Sequence, residues 1–371
     1  MAETIALGLM SGTSMDGIDL AVLVTDGENL VRRGPSMAVG YEAAFRRRIE
    51  TALTTARQID RREERPGELL TLEREITERH AAAVERFIAG PASGWKPEIV
   101  GFHGQTVLHR PERALTVQLG DGALLARRTG LAVVYDMRAE DMRHGGQGAP
   151  LIPAYHAALA ASLPPPHAGR FPVAFVNVGG IANVTYVPRA GPPVAFDTGP
   201  GNALIDQWVT REGGIPFDAE GMIASEGAVV SSVVGRYLDN PFFSRAAPKS
   251  LDRGDFTLDH ATELELADGA RTLARVSAES IARAVDHLPA KPELWVVSGG
   301  GRKNPHILAD LQAIVAPATV LRAEEAGLDG DAMEAEAWAY LAVRAVKGLP
   351  LTFPTTTGCR KAVSGGVLAS P

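Results

Sequence analysis

Glycine clusters set directly after short apolar runs constrain this chain more than any other feature. Residues 5–10 (Ile-Ala-Leu-Gly-Leu-Met) run into the polar, glycine-flanked turn Ser11–Gly17, and Ile18–Val24 follows. The same pattern returns as Val173–Val178, Gly179-Gly180 and Asn183–Val187. Each segment reads as strand, tight turn, strand rather than strand, turn, helix. The recurrence, with helical segments between, predicts two related α/β halves. Glycine makes up 39 of the 371 residues. Clustered this way, it lets backbone approach a ligand closely.

The remaining periodicity fills in the halves. Helices are predicted over 41–57 and 67–89, the second with Leu69, Leu72, Ile76, Ala83, Phe87 and Ile88 on one face. Strands are predicted at 98–102, 115–119 and 131–135, with a helix over 121–129 closed by Gly130. The glycine-rich stretch His144–Pro150 interrupts the pattern and reads as a domain boundary and hinge, with a second hinge at Gly348. Beyond it come a strand around Ala195-Phe196, a helix from Ala203, helices over 219–238 and 271–288, a strand at 294–297, and a last helix over 333–347. Asn304-Pro305 is a strong helix start, asparagine as cap and proline in the first turn. The expected domains are therefore 1–143 plus 349–371, and 144–348.

Charge and cysteine exclude several functions. The net charge is −7, and the arginine-rich runs at 46–48 and 61–65 are interleaved with glutamates. No basic field for nucleic acid or an anionic membrane results. The single cysteine, Cys359, excludes internal disulfides and thiolate metal clusters and fits a reducing compartment. No signal peptide and no membrane span are expected, so the expected location is cytoplasmic.

Four segments carry candidate chemistry. Gly12-Thr13-Ser14-Met15-Asp16-Gly17 offers N–H groups and hydroxyls for phosphate oxygens, and Asp16 suits a magnesium ion held through water. The same residues also make an ordinary polar turn. Gly179-Gly180 can grip phosphate from a second side or simply close a hairpin. Phe196-Asp197-Thr198-Gly199-Pro200-Gly201-Asn202 sets a carboxylate where an apolar strand meets a turn and a helix, whose free N–H groups attract anions. Its plainer role is a helix cap. Gly299-Gly300-Gly301 after Ser298 admits a flat ring such as adenine, or is only a flexible loop. His103-Gly104-Gln105 and Arg138 are weaker candidates. No Walker P-loop, GxGxxG or HExxH pattern is present.

Together, these segments resemble the anhydro-N-acetylmuramic acid kinase family. The resemblance lies in Gly8–Gly17, Gly101–Thr106, Gly145–Pro150, Asn177–Asn183, Phe196–Asn202, Ser298–Pro305 and Asp331–Ala337, in family order. Asp136-Met137-Arg138 replaces Asp-Phe-Arg, and Lys249-Ser250-Leu251-Asp252-Arg253 departs from Lys-Ser-Thr-Gly-Arg.

The resemblance implies an α/β fold of two actin/hexokinase-like (ribonuclease H-like) domains with an interdomain nucleotide cleft. It implies ATP with Mg2+ as cofactors and 1,6-anhydro-N-acetylmuramic acid as substrate, opened by water and phosphorylated on O6 during peptidoglycan recycling. By resemblance Asp197 is the catalytic base. Gly12, Thr13, Ser14, Met15, Asp16, Gly17, Ile18, Asp19, Gly179, Gly180, Asn183, Gly299, Gly300, Gly301 and Asn304 hold ATP. Asp16 meets the magnesium through water, and His103, Gly104, Gln105, Arg138 and Glu334 bind sugar. A homodimer is expected from the family, with neither nucleic acid nor membrane as partner. Two other readings stay open: an ordinary sugar kinase of the superfamily, and an actin- or chaperone-like ATPase switch.

Overall fold

The structure is a computed structural model, and it describes residues 3–371 apart from Thr13 and Arg253. The strands are β1 (Thr4–Ser11), β2 (Gly17–Thr25), β3 (Val31–Gly40), β4 (Ile99–Arg110), β5 (Leu115–Leu119), β6 (Ala132–Tyr135), β7 (Val173–Val178), β8 (Ile181–Val187), β9 (Val194–Pro200), β10 (Leu294–Ser298), β11 (Thr319–Arg322) and β12 (Val367–Ala369). The helices are α1 (Ala43–Ala56), α2 (Leu69–Ala89), α3 (Gly122–Thr129), α4 (Ala139–Arg143), α5 (Pro153–Ala161), α6 (Ala203–Gly213), α7 (Ser231–Leu238), α8 (Leu266–Ala282), α9 (Pro305–Val315), α10 (Met333–Val346) and α11 (Pro354–Thr357).

The chain divides into two compact units, Met1–Ser162 with Ala332–Pro371, and Leu163–Asp331. Each holds one mixed sheet, and the two sheets share a strand order. In the first, β3-β2-β1 is an antiparallel meander and β4 and β6 continue it in parallel, with β5 on β4 and β12 on β6. In the second, β9-β8-β7 is the meander, and β10 and β11 are the parallel strands. The two halves foreseen from the glycine turns are thus one topology used twice, the ribonuclease H-like order.

Both sheets are apolar because helices cover them. In the first unit α10 lies directly on β1 and β4. Gly8 and Gly101 are register partners there. A Cβ on Gly8 would stand 1.7 Å from the Ala335 carbonyl oxygen, and one on Gly101 2.0 Å from that of Trp338. Only glycine admits so close a helix. This packing places 333–346 with the first unit, whereas the sequence put it in the second. The second unit packs Trp208, Trp295, Val297, Leu273 and Ile281 into its own core.

The boundary expected at His144–Pro150 also lies elsewhere. Asp141, buried, accepts hydrogen bonds from the Gly148 N–H (2.7 Å) and from the Thr352 and Thr357 hydroxyls. The Gln147 N–H donates to the Thr357 carbonyl at 2.9 Å, and the Arg360 N–H to that of His144 at 3.0 Å. The glycine-rich stretch is bolted into the first unit, and the chain crosses between units at 162–163 and 331–332.

Other differences are local. The helix expected over 219–238 is two single turns, Ala219–Gly221 and Ala224–Glu226, followed by α7. Gly227, after the second turn, is extended (φ −109, ψ 167), which breaks the helix before α7. The helix expected over 271–288 begins at Leu266 and tightens to a 3-10 turn over Arg283–His287. Strands β3, β11 and β12 and helices α4 and α5 were not foreseen. Among the described residues no helix is long and apolar enough to cross a membrane.

Candidate active site

In the second unit, the register of four strands lines up polar side chains. Ser298 on β10 pairs with Asn177 on β7, Asn177 with Asn183 on β8, and Asn183 with Asp197 on β9. Register partners share a face of the sheet. A polar row therefore crosses a sheet that is otherwise apolar, close to the two glycine turns. The pairing of β8 with β9 shifts between Ala182 and Asn183, so Thr198 is the extra residue of a bulge beside Asp197. Bulges of this kind re-aim a neighbouring side chain.

Asp197 lies on an edge strand, and its edge is covered. Its N–H donates to the Lys249 carbonyl at 2.9 Å. The Leu251 N–H donates to its Oδ2 at 2.9 Å. Burial raises the carboxyl pKa from 3.8 to about 6, against the lowering effect of the Leu251 N–H. Such a carboxylate is ionised at neutral pH yet basic enough to take a proton from water.

The two glycine features of this unit lock together. Gly201 and Ala203 donate their N–H groups to the Gly180 carbonyl at 2.9 and 3.2 Å, and Asn202 donates its N–H to that of Gly179 at 2.8 Å. A Cβ on Gly201 would lie 2.3 Å from the Gly179 oxygen. The first N–H of α6, that of Ala203, is thus taken by the hairpin turn, as are the two N–H groups that lead into the helix. Asn202 caps nothing with its side chain, which donates to the Val178 carbonyl at 3.2 Å. Gly300–Lys303 forms a 3-10 turn, with Gly301 buried against Val178. Asn304 caps α9 as expected, its Oδ1 accepting from the His306 and Ile307 N–H groups. Beside this turn lies a cavity of about 520 Å³ lined by Glu220, Arg302, Lys303, Pro305, Leu308 and Gln312 among others.

In the first unit, the turn between β1 and β2 is braced from β4. The Ser11 hydroxyl donates to Gln105 Oε1 at 2.7 Å, and Gln105 Nε2 donates to the Gly12 carbonyl at 3.0 Å. Gln105 is fully buried. Both ends of its amide are used to support the turn between β1 and β2. Within the turn the Ser14 hydroxyl donates to Asp16 Oδ1 at 2.7 Å, and Met15 adopts a left-handed backbone, φ 55. Ile18 and Asp19 begin β2 beyond it. Thr13, a predicted phosphate contact, lies outside the described residues.

His103, Arg138 and Glu334 do come together. His103 Nδ1 is 3.0 Å from the Ser11 carbonyl and 2.8 Å from that of Gly104, so this nitrogen carries the proton. Nε2 then accepts from Arg138 Nη2 at 3.1 Å. Arg138 Nη1 donates to the Gly148 carbonyl at 2.9 Å, and its Nε takes no partner. Burial, with Arg138 adding to it, pushes the His103 pKa down to about 3. Histidine is thus neutral and orients the arginine. Burial raises the Glu334 carboxyl, opposed by Arg138. Trp338, one turn further along α10, packs its ring 4.7 Å from that of His103 and 5.6 Å from the Arg138 guanidinium.

The model of anhydro-N-acetylmuramic acid kinase matches residues 4–371 of this chain. The chain belongs to the anhydro-N-acetylmuramic acid kinase family. It is a kinase. A curated member from Brucella canis is 58% identical over 99% of this chain and 98% of its own length. One from Rhizobium etli is 56% identical over 99% and 98%. Among solved structures, an activator of 2-hydroxyisocaproyl-CoA dehydratase from Clostridium difficile with bound ADPNP is 11% identical over 93% of this chain and 96% of its own, with a TM-score of 0.45.

Within this kinase, two residues that sequence reasoning did not offer as candidates touch the ones it did: Trp338 packs on His103 and Arg138, and the Lys249 carbonyl accepts the Asp197 N–H. The signal for Trp338 was its spacing, four residues after Glu334 and so on the same helix face. The loop that carries Lys249 stood out in the sequence, but not what it does, because its contacts join segments far apart in sequence.

Proposed function

We propose that the protein opens 1,6-anhydro-N-acetylmuramic acid with water and transfers the γ-phosphoryl group of ATP to O6. The products are N-acetylmuramic acid 6-phosphate and ADP, and the role is recycling of the cell wall in the cytoplasm. The family match over the whole chain supports the reaction. The observation that carries the mechanism is the Asp197 carboxylate, raised to about 6, at the end of the polar row.

The substrate dictates the order of events. O6 is tied to C1 as an internal ether, so no hydroxyl is available for an ordinary kinase to deprotonate. Asp197 takes a proton from water, and the water oxygen bonds to C1. The C1–O6 bond breaks, and O6 bonds to the γ-phosphorus as the bond to ADP breaks. One base serves both halves of the reaction.

The other residues bind and orient. Arg138, held by His103, suits the lactyl carboxylate, and Glu334 suits sugar hydroxyls. The Gly12–Gly17 and Gly179–Gly180 turns suit phosphate oxygens, and the Gly299–Gly301 turn suits adenosine. The donor set fits Mg2+ that is held mainly by phosphate and water. Asp16 is an exposed carboxylate on the phosphate-type turn, and no group of three or more His, Cys, Asp or Glu able to hold a metal occurs among the described residues. Bound there, the ion would neutralise charge on the phosphates.

A coupled assay of ADP release tests the reading. Release should require the anhydro sugar and yield N-acetylmuramic acid 6-phosphate. Equal or faster turnover of free N-acetylmuramic acid would make the protein an ordinary sugar kinase. Sugar-independent ATP hydrolysis would make it a switch.

A further inference from the structure

A buried lysine stands behind the catalytic edge. Lys249 is 8% exposed. Its Nζ donates to the carbonyls of Phe242 at 3.1 Å and Phe243 at 3.2 Å, and lies 3.0 Å from His287 Nε2. The Phe242 ring centroid is 4.6 Å from the ammonium and that of Phe196 5.8 Å. Phe196 immediately precedes Asp197. The backbone of the same lysine accepts the Asp197 N–H, and two residues on Leu251 donates to the Asp197 carboxylate.

A buried ammonium is a poor choice for stability alone, because an apolar side chain of similar volume usually serves as well or better. Here the charge ties the 249–251 segment to the backbone carbonyls of a neighbouring turn, Pro241–Ser244. We propose that Lys249 is a positioning residue for the reaction: its ammonium, held by the Phe242 and Phe243 carbonyls, fixes the segment so that the Leu251 N–H meets Asp197 Oδ2. The proposal rests on Asp197 being the base.

This arrangement accommodates one of the loop's two departures from the family form, the one at Leu251. The hydrogen bond to Asp197 comes from backbone, so leucine at 251 in place of threonine leaves it intact. The lysine, whose side chain does the holding, is retained. Arg253 lies outside the described residues and takes no part in the argument.

The groups facing the pair are few. Asp197 faces the neutral Asn183 across β8 and the 249–251 segment along its edge. Among the described residues, the charged or titratable groups that act on Lys249 are Arg245, Asp286 and His287. Burial, reinforced by Arg245, lowers the lysine pKa to about 8, so the ammonium persists at neutral pH.

The pH profile of kcat/KM for the anhydro sugar tests this in the full-length enzyme. Wild type should show an acid limb near 6, the Asp197 value. Lys249→Met keeps the volume and removes the charge. Losing the Leu251 hydrogen bond should then move the limb up by about one pH unit, so that kcat/KM at pH 6 falls about fivefold. KM for ATP should stay within about twofold, since ATP contacts are untouched. Lys249→Arg, which keeps charge and donors, should bring the limb back toward wild type. A folded Lys249→Met enzyme with an unmoved limb overturns the proposal, whatever its kcat. Should Lys249→Met not fold, Lys249→Leu carries the same test, because it too lacks both the charge and any donor for the two carbonyls. An unmoved limb there overturns it equally. Asp197→Asn is the control: if that variant stays active, the reading of Asp197 fails by itself, independently of Lys249.

Discussion

Replacing Asp197 by asparagine should make the protein inactive and more stable at the same time. The carboxyl pKa rises from 3.8 to about 6 in the fold because burial disfavours its charge. That rise corresponds to about 3 kcal/mol of strain when the group is ionised, at about 1.4 kcal/mol per tenfold change. Asp197 keeps some contact with solvent, so we expect about 1–2 kcal/mol. The sign follows from linkage. Above pH 6 the folded carboxylate is charged at a cost that the unfolded chain does not bear. As pH falls from about 6 to 3.8, the folded protein takes up the proton first, and the cost disappears. Asparagine keeps an oxygen to accept the Leu251 N–H and never carries the charge. The variant should therefore melt about 2–6 °C higher than wild type at pH 8, and the gap should shrink by pH 5. The comparison cancels every other titrating group, since both proteins share them. Turnover should fall by about 10²–10⁴-fold or more, with ATP binding intact, because the amide cannot accept the proton from water. Calorimetry at the two pH values and the ADP-release assay read both effects. An equal or lower melting temperature at pH 8, or a gap that does not narrow at pH 5, would refute the burial argument. A variant retaining a third of wild-type kcat would exclude Asp197 as the base and bring forward Glu334.

The other predictions concern the first unit and acid stability. Asp16→Ala should raise the magnesium concentration needed for half-maximal rate more than it changes the Kd for nucleotide, and an unchanged magnesium titration returns Asp16 to a turn residue. Gly101→Val should destabilise by about 3 kcal/mol or more, because its Cβ would stand 2.0 Å from the Trp338 carbonyl and push α10 off β4; a melting temperature within 2 °C of wild type, about what 1 kcal/mol would move, contradicts the packing. Burial lowers His80 to about 4 and His103 and His156 to about 3, so these rings stay neutral in the fold while the unfolded chain protonates them below about 6.5. Their contribution to stability is complete above 6.5 and is lost as pH falls toward 3. Denaturant midpoints should accordingly drop between pH 6.5 and 4, and the His103 ring should show no NMR titration between pH 5 and 8.

Much of this protein was legible in its sequence because local rules decide it. Strand, glycine turn and strand at 5–24 and 173–187 need only apolar runs and permissive turn residues, and both meanders formed there. The Asn304-Pro305 helix start needs only a cap and a fixed φ, and α9 begins there. The phosphate-type turn and Asp197 could be singled out because unusual residue types cluster within a few positions. What crosses sequence distance was not legible. The sequence shows α10 as an apolar helix, but only the paired glycines 8 and 101, brought together by the parallel register of β1 and β4, decide which sheet it covers. The sequence did not show that Gln105 braces the first turn; β4 sets its amide there. The Ala203 N–H at the start of α6 looked free until the Gly180 carbonyl met it. Lys249 looked like one residue of an irregular loop, and only the fold sets its ammonium beside two carbonyls and its backbone against Asp197. Local conformation depends on neighbours in the chain and can be read from them. Burial, the removal of water that raises one carboxyl and silences three histidines, depends on neighbours in space, and only the tertiary structure supplies those.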